Sequence, residues 1–183
     1  MAVRDIIRMG HPTLRKVARP LTDAEIGSAA TQTLVQDLTD TLRATGMGIG
    51  LAAPQIDEPV RVAVIEIPGG ASRYGEIPPL PLTVFINPEI EVLNPAVAGY
   101  WEGCLSVPGL RGFVERPQHI RIRALGLDGA PLELTLQGFV ATVFQHEFDH
   151  LDGRLYIDRI KDSTLLMFEE EFERYVVPGT GAL

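Results

Sequence analysis

Apolar residues recur at Ile26, Ala30, Leu34, Leu38 and Leu42, the spacing of one helix face. Thr22-Asp23-Ala24-Glu25, just before, has the form of a capping box, with Thr22 at the N-cap and Glu25 three positions on. Gly46 and Gly48 stop the pattern, so a helix is predicted over about residues 23–44. The middle of the chain is strand-like. Val60–Ile67 is rich in β-formers, Pro68 to Leu82 has the Pro and Gly content of a loop, and Val84–Ile86, Ile90–Leu93 and Val97–Trp101 are short strand candidates. His119–Leu127 alternates, as does Leu132-Leu134-Leu136 beyond the turn Asp128-Gly129, which predicts a β-hairpin.

From Gly138 to Leu151 the period turns helical again. Phe139, Val143, His146 and His150 share one face, and Val140, Phe144, Glu147 and Leu151 form the adjacent stripe. An apolar arc this wide predicts a helix buried on most sides. A further helix is predicted from about Ser163 to Tyr175, and Pro178 to Leu183 are expected to fray. With no internal repeat or linker, the order of helix, strands, helix, helix predicts one α+β domain over residues 1–183.

Composition narrows the function classes. The chain is 45% hydrophobic and 22% charged, ordinary for a globular protein, and no apolar run approaches the ~18–20 residues of a membrane span. A formal net charge of −8 argues against general nucleic-acid binding through a basic surface. Cys104 is the single cysteine, so a disulfide scaffold is excluded and a reducing compartment expected. The first residues form neither a signal peptide nor a transit segment, which predicts a cytoplasmic protein, although a processed organellar form would look the same.

His146-Glu147-Phe148-Asp149-His150 is H-E-x-x-H on a predicted helix. Positions i and i+4 share a face, so the two imidazoles can converge on one metal ion with Glu147 beside them as a general base. Two core histidines in a chance pentapeptide is the bland alternative. It leaves two imidazoles and a carboxylate on apolar stripes without compensation, so the metal is preferred. A tetrahedral catalytic site takes three protein ligands and leaves one position open. The candidates for the third are Cys104, His11, His119 and carboxylates; context favours Cys104, which follows a predicted strand in Trp101-Glu102-Gly103-Cys104-Leu105-Ser106. His11 and His119 are expected at the surface or in turns. Glu102 would pair with Arg111 or Arg116, or else be a solvated carboxylate. The Gly-rich stretch from Gly46 to Gln55 lacks the Lys-Ser/Thr of a phosphate loop; its small residues suit a substrate lying against backbone, with Gln55 supplying a side-chain N–H.

Three segments together resemble the peptide deformylase family: Gly48-Ile49-Gly50-Leu51-Ala52-Ala53-Pro54-Gln55, Glu102-Gly103-Cys104-Leu105-Ser106 and Gln145-His146-Glu147-Phe148-Asp149-His150-Leu151. The opening His11-Pro12-Thr13-Leu14-Arg15 is similar to the family's start. The resemblance implies an α+β fold with strands wrapped around the metal-binding helix, and a hydrolase that removes the formyl group from N-formyl-methionyl peptides of nascent chains, releasing formate. It implies that Cys104, His146 and His150 bind one divalent metal, natively Fe2+ and replaceable by Zn2+, Ni2+ or Co2+. Glu147 would be general base and acid, with Gln55 and the Leu105 backbone N–H as oxyanion donors. Ile49, Gly50 and Gly103 would pair with the extended peptide, and Phe139, Thr142 and Val143 are pocket candidates for the methionine, against a plain core role. Some bacterial members dock on the ribosome through a basic tail helix. Here Lys161 and Arg174 stand against Asp162, Glu169, Glu170, Glu171 and Glu173, a net charge of −3 over residues 161–183, so any ribosome contact is expected elsewhere.

Two rivals remain. A zinc endopeptidase needs a downstream ligand, for which no His follows His150 and only Glu169 offers itself. A non-catalytic metal protein normally closes its site with four protein ligands, and this chain offers three.

Overall fold

The first helix starts later than its periodicity predicts. In the computed structural model, which describes residues 2–72 and 74–177, α1 spans Ala29–Ala44. The Glu25 carboxylate does fold back onto the Thr22 N–H, at 2.8 Å, but this closes a turn and not a helix. Gly27 follows at φ 75°, a left-handed conformation that interrupts helical continuation. The N-cap is therefore Ser28, whose hydroxyl accepts the Thr31 N–H at 3.2 Å.

Beyond α1 come β1 (Gly50–Ala52), β2 (Val62–Ile67), β3 (Gly70–Ser72), β4 (Gly75–Ile77), β5 (Leu80–Cys104), β6 (Val107–Leu125), β7 (Pro131–Gln137), α2 (Gly138–Leu151), β8 (Leu166–Phe168) and α3 (Glu169–Tyr175). Strands β1-β2-β5-β6-β7 lie side by side in that order, and β8 also pairs with β6, giving a six-stranded sheet. All of its pairings are antiparallel. The predicted hairpin is present as β6 and β7, with Ile120 opposite Leu136 and Ile122 opposite Leu134. The predicted helix over 138–151 is α2.

Three expectations need correction. The short strands predicted between Val84 and Trp101 are parts of one bent strand, β5, whose register against β6 shifts between Ile86 and Glu89 and twice between Val92 and Val97. Asn87-Pro88 and Asn94-Pro95 sit at those irregularities, where proline cannot donate to a ladder and the pattern breaks locally. The expected loop over Pro68–Leu82 contains the β3–β4 hairpin. The predicted helix from Ser163 is a single 3-10 turn, then β8, then the seven-residue α3. Residues 110–112 of β6 offer backbone groups that Leu166–Phe168 take up, and that pairing replaces helical hydrogen bonds. Pro178 to Leu183, expected to fray, lie outside the described residues.

Strand β2 is buried on both faces, which positions everything else. Ala63 and Ile65 pack with Phe85, Ile120, Ile122, Phe144, Phe148 and Leu151, so α2 lies in that layer. Val62 and Val64 pack with Leu38, Leu42, Leu51 and Ile56, so α1 covers the other. Phe144 meets Phe85 edge-on at 5.1 Å, anchoring α2 against the sheet. No helix among the described residues is long and apolar enough to cross a membrane.

Candidate metal centre

α2 presents His146 and His150 one turn apart, with ring centroids 5.3 Å from each other. The end of β5 delivers Cys104, whose Sγ is 3.3 Å from His150 Nε2. One ligand atom from each of Cys104, His146 and His150 falls within 4.8 Å of the others, the only such trio among the described residues. His11 instead accepts the Thr13 N–H at a turn, and His119 lies within β6 opposite Asn94 and Gln137. Both stay outside the cluster.

Glu102 orients the first imidazole. Its Oε2 is 2.7 Å from His146 Nδ1. An ionised carboxylate only accepts, so Nδ1 carries the proton and Nε2 is left for a cation. Of the two arginines considered, Arg116 is the partner: Nε and Nη2 donate to Glu102 at 2.7 and 3.0 Å. The same guanidinium donates to Asp149 at 2.7 Å through Nη1, and Asp149 pairs onward with Arg159. Arg116 is only 1% exposed and Glu102 6%, which excludes the solvated carboxylate. Arg111 pairs with Glu169 instead.

Burial would raise the Glu102 carboxyl, but hydrogen bonds from His146 and Arg116 bring its pKa down to about 2. Burial likewise pushes the Cys104 thiol up, and the nearby imidazoles of His150 and His146 override that, holding it well below its usual value. A thiolate and two imidazoles, one fixed by a carboxylate, form a donor set that fits a first-row divalent metal.

Glu147, buried, has its carboxyl pKa raised above the ordinary range by desolvation. Its Oε2 has no hydrogen-bond partner. The side chain lies against Gly50, where a Cβ would come within 2.5 Å of the Glu147 Cδ. Gln55 sits in the 3-10 turn Ala53–Ile56 after β1. Its Oε1 accepts the Ala52 N–H at 2.9 Å, which turns Nε2 towards Ser106 Oγ at 3.2 Å and Cys104 Sγ at 3.7 Å.

A cavity of about 360 Å³ opens over this group. Ile49, Gly50, Gln55, Gly103, Cys104, Leu105, His146 and Glu147 all line it; His150, 1% exposed, is buried behind. Phe139, Thr142 and Val143 line it too, while Phe139 and Val143 also pack into the core. Sequence reasoning missed Tyr156, whose ring stacks on His146 at 6.0 Å, and gave Arg111 and Glu169 no place on the cavity wall. Nothing periodic points to Tyr156 or Glu169.

A sequence model of the family described as Polypeptide deformylase matches residues 3–165. Peptide deformylase 1 of Prochlorococcus marinus is 48% identical over 173 residues, covering 94% of this chain and 88% of that protein. A peptide deformylase of Leptospira biflexa is 40% identical over 173 residues, covering 94% and 96%. Among solved structures, the Met-Ala-Ser-bound class I type b peptide deformylase of Acinetobacter baumannii superposes with a TM-score of 0.77 at 32% identity, covering 87% of this chain and 99% of that one.

Proposed function

From the premise that the chain belongs to the polypeptide deformylase family, we propose how its own residues divide the work. The protein is a metallohydrolase that removes the N-formyl group from nascent peptides. The family and the Cys/His/His cluster support a single metal. Cys104, His146 and His150 would hold it, and we take Fe2+ as the native ion on the family resemblance, with Zn2+, Ni2+ or Co2+ as substitutes; the thiolate and imidazoles suit Fe2+ and Zn2+ alike. When bound, the cation supplies Lewis acidity, lowering the pKa of water towards neutrality and polarising the formyl carbonyl.

Glu147 takes the proton from the attacking water and returns it to the departing amine, releasing formate and a free amino terminus. Its raised pKa suits both directions of transfer. Negative charge develops on the formyl oxygen, to which Gln55 Nε2 and the Leu105 backbone N–H donate; each such donor is commonly worth about 10²–10³ in rate. The backbones of Ile49, Gly50 and Gly103 pair with the extended peptide. Phe139, Thr142 and Val143 receive the methionine side chain. The Acinetobacter relative holds Met-Ala-Ser, the tripeptide left when formyl-Met-Ala-Ser loses formate. Residues 1–183 act as one catalytic unit in the reducing cytoplasm, where the lone thiol stays reduced. Any ribosome contact avoids α3, whose first turn carries Glu169, Glu170 and Glu171.

The observation carrying this reading is the Glu147 carboxylate, with an unpartnered oxygen, in one cavity with Cys104 and His146 and with His150 buried directly behind them. The test is anaerobic formate release from formyl-Met-Ala-Ser by iron- or cobalt-loaded protein. Glu147→Ala should keep one metal per chain and lose about 10²–10⁴ in rate. Undiminished release by that variant would remove Glu147 from its role, and cleavage of an unformylated peptide would favour an endopeptidase.

A further inference from the structure

One part of the cavity rim carries a charge pair that the chemistry above leaves unused. β8 runs antiparallel to β6 with Phe168 opposite Leu110, Met167 opposite Arg111 and Leu166 opposite Gly112. That register brings the next residue, Glu169, to the cavity wall as the first residue of α3, where its carboxylate pairs with the Arg111 guanidinium. Both side chains keep about a third of their surface, at 34% and 38%. Arg111 lies directly over Gly103: a Cβ on that glycine would collide with its Nη1.

The peptide's alternation then matters, and here the argument rests on the deformylase reading of the site. Side chains of directly opposed residues in a strand pair point to the same face, and those of their neighbours point to the other. A substrate residue opposed to Gly103 therefore turns its side chain to Arg111. With the methionine turned towards Val143 on α2, that residue is the second of the peptide. The other carboxylates of the cavity are committed, Glu102 to Arg116 and His146, and Glu147 to the reacting centre.

We propose that Glu169 is a specificity-determining residue: by holding Arg111 in an ion pair, it withholds the guanidinium from acidic side chains at the second position of the formyl peptide. The enzyme accordingly disfavours acidic second residues relative to basic ones.

The test compares kcat/KM for formyl-Met-Asp-Ser, formyl-Met-Lys-Ser and formyl-Met-Ala-Ser in the metal-loaded protein, in Glu169→Gln and in Glu169→Gln with Arg111→Met. The parent should prefer the Lys peptide to the Asp peptide. Glu169→Gln should reduce that preference about three- to fivefold, the size expected of a partly exposed ion pair. The shift should shrink at high salt and vanish in the double variant. Inhibition by the products Met-Asp-Ser and Met-Lys-Ser should move in the same direction. An unmoved Lys-to-Asp ratio, or a loss equal on all three peptides, overturns the proposal while leaving the deformylase reading intact. Failure of the parent on formyl-Met-Ala-Ser would instead strike at that reading.

Discussion

Gly50 and Glu147 are complementary by absence: the glycine lacks the one carbon that would occupy the carboxylate's place. Gly50→Ala should therefore displace Glu147 without touching a metal ligand. A misplacement of about 1 Å can cost 10²-fold in rate, so we expect kcat/KM to fall about 100-fold with metal content unchanged, as read by formate release and metal analysis. Arg116 presents the converse case, a cation surrounded by two acids in the interior. Arg116→Met leaves Glu102 and Asp149 without that partner, and loss of one member of a buried pair costs about 3–5 kcal/mol. Urea unfolding of the metal-loaded variant should show that loss as a lower midpoint.

Among the elements, the start of α1 shows how a correct local motif can mislead. Thr22 and Glu25 do exchange the hydrogen bonds of a turn, but Gly27 separates them from the helix and Ser28 does the capping. Ser28→Ala should lower stability by about 1 kcal/mol, and Glu25→Ala, at an exposed turn, by less; thermal melts of the two variants check the order. α2 was legible because its helical period and its H-E-x-x-H spacing agree, and the β6–β7 hairpin because Asp128-Gly129 specifies its turn. β5 was not legible as one strand, since its proline breaks are local while the long partner β6 that restores pairing is distant. Leu166-Met167-Phe168 fits a helix stripe as well as a strand, and only the available backbone of β6 decides. The same division holds at the site. The proposed ligands, Glu147 and Gln55 sit in compact motifs, whereas Arg111 with Glu169, 58 residues apart, and the Tyr156 ring on His146 depend on tertiary placement.

For the whole molecule, the metal would join the end of β5 to α2 and so act as a stabilising ligand of the folded state. At a free concentration 100 times its dissociation constant, such a ligand adds about 2.7 kcal/mol. At about 2–4 °C per kcal/mol for a chain of this size, chelation should lower Tm by roughly 5–11 °C, restored by adding the metal back. Calorimetry before and after chelation measures this directly. The centre is also assembled unevenly in time. Its two histidines belong to one helical turn, but Cys104 is 46 residues from His150 and reaches it only when the end of β5 packs against α2. A helical turn forms in microseconds or less, whereas bringing the end of β5 onto α2 joins distant parts of the chain and is the slower step. On the proposed ligand set, a newly made chain would thus offer a passing cation two imidazoles first and the thiolate last, and a weakly held ion would still exchange until β5 docks. The thiolate would then be the latch, closing last on whatever ion the imidazoles hold.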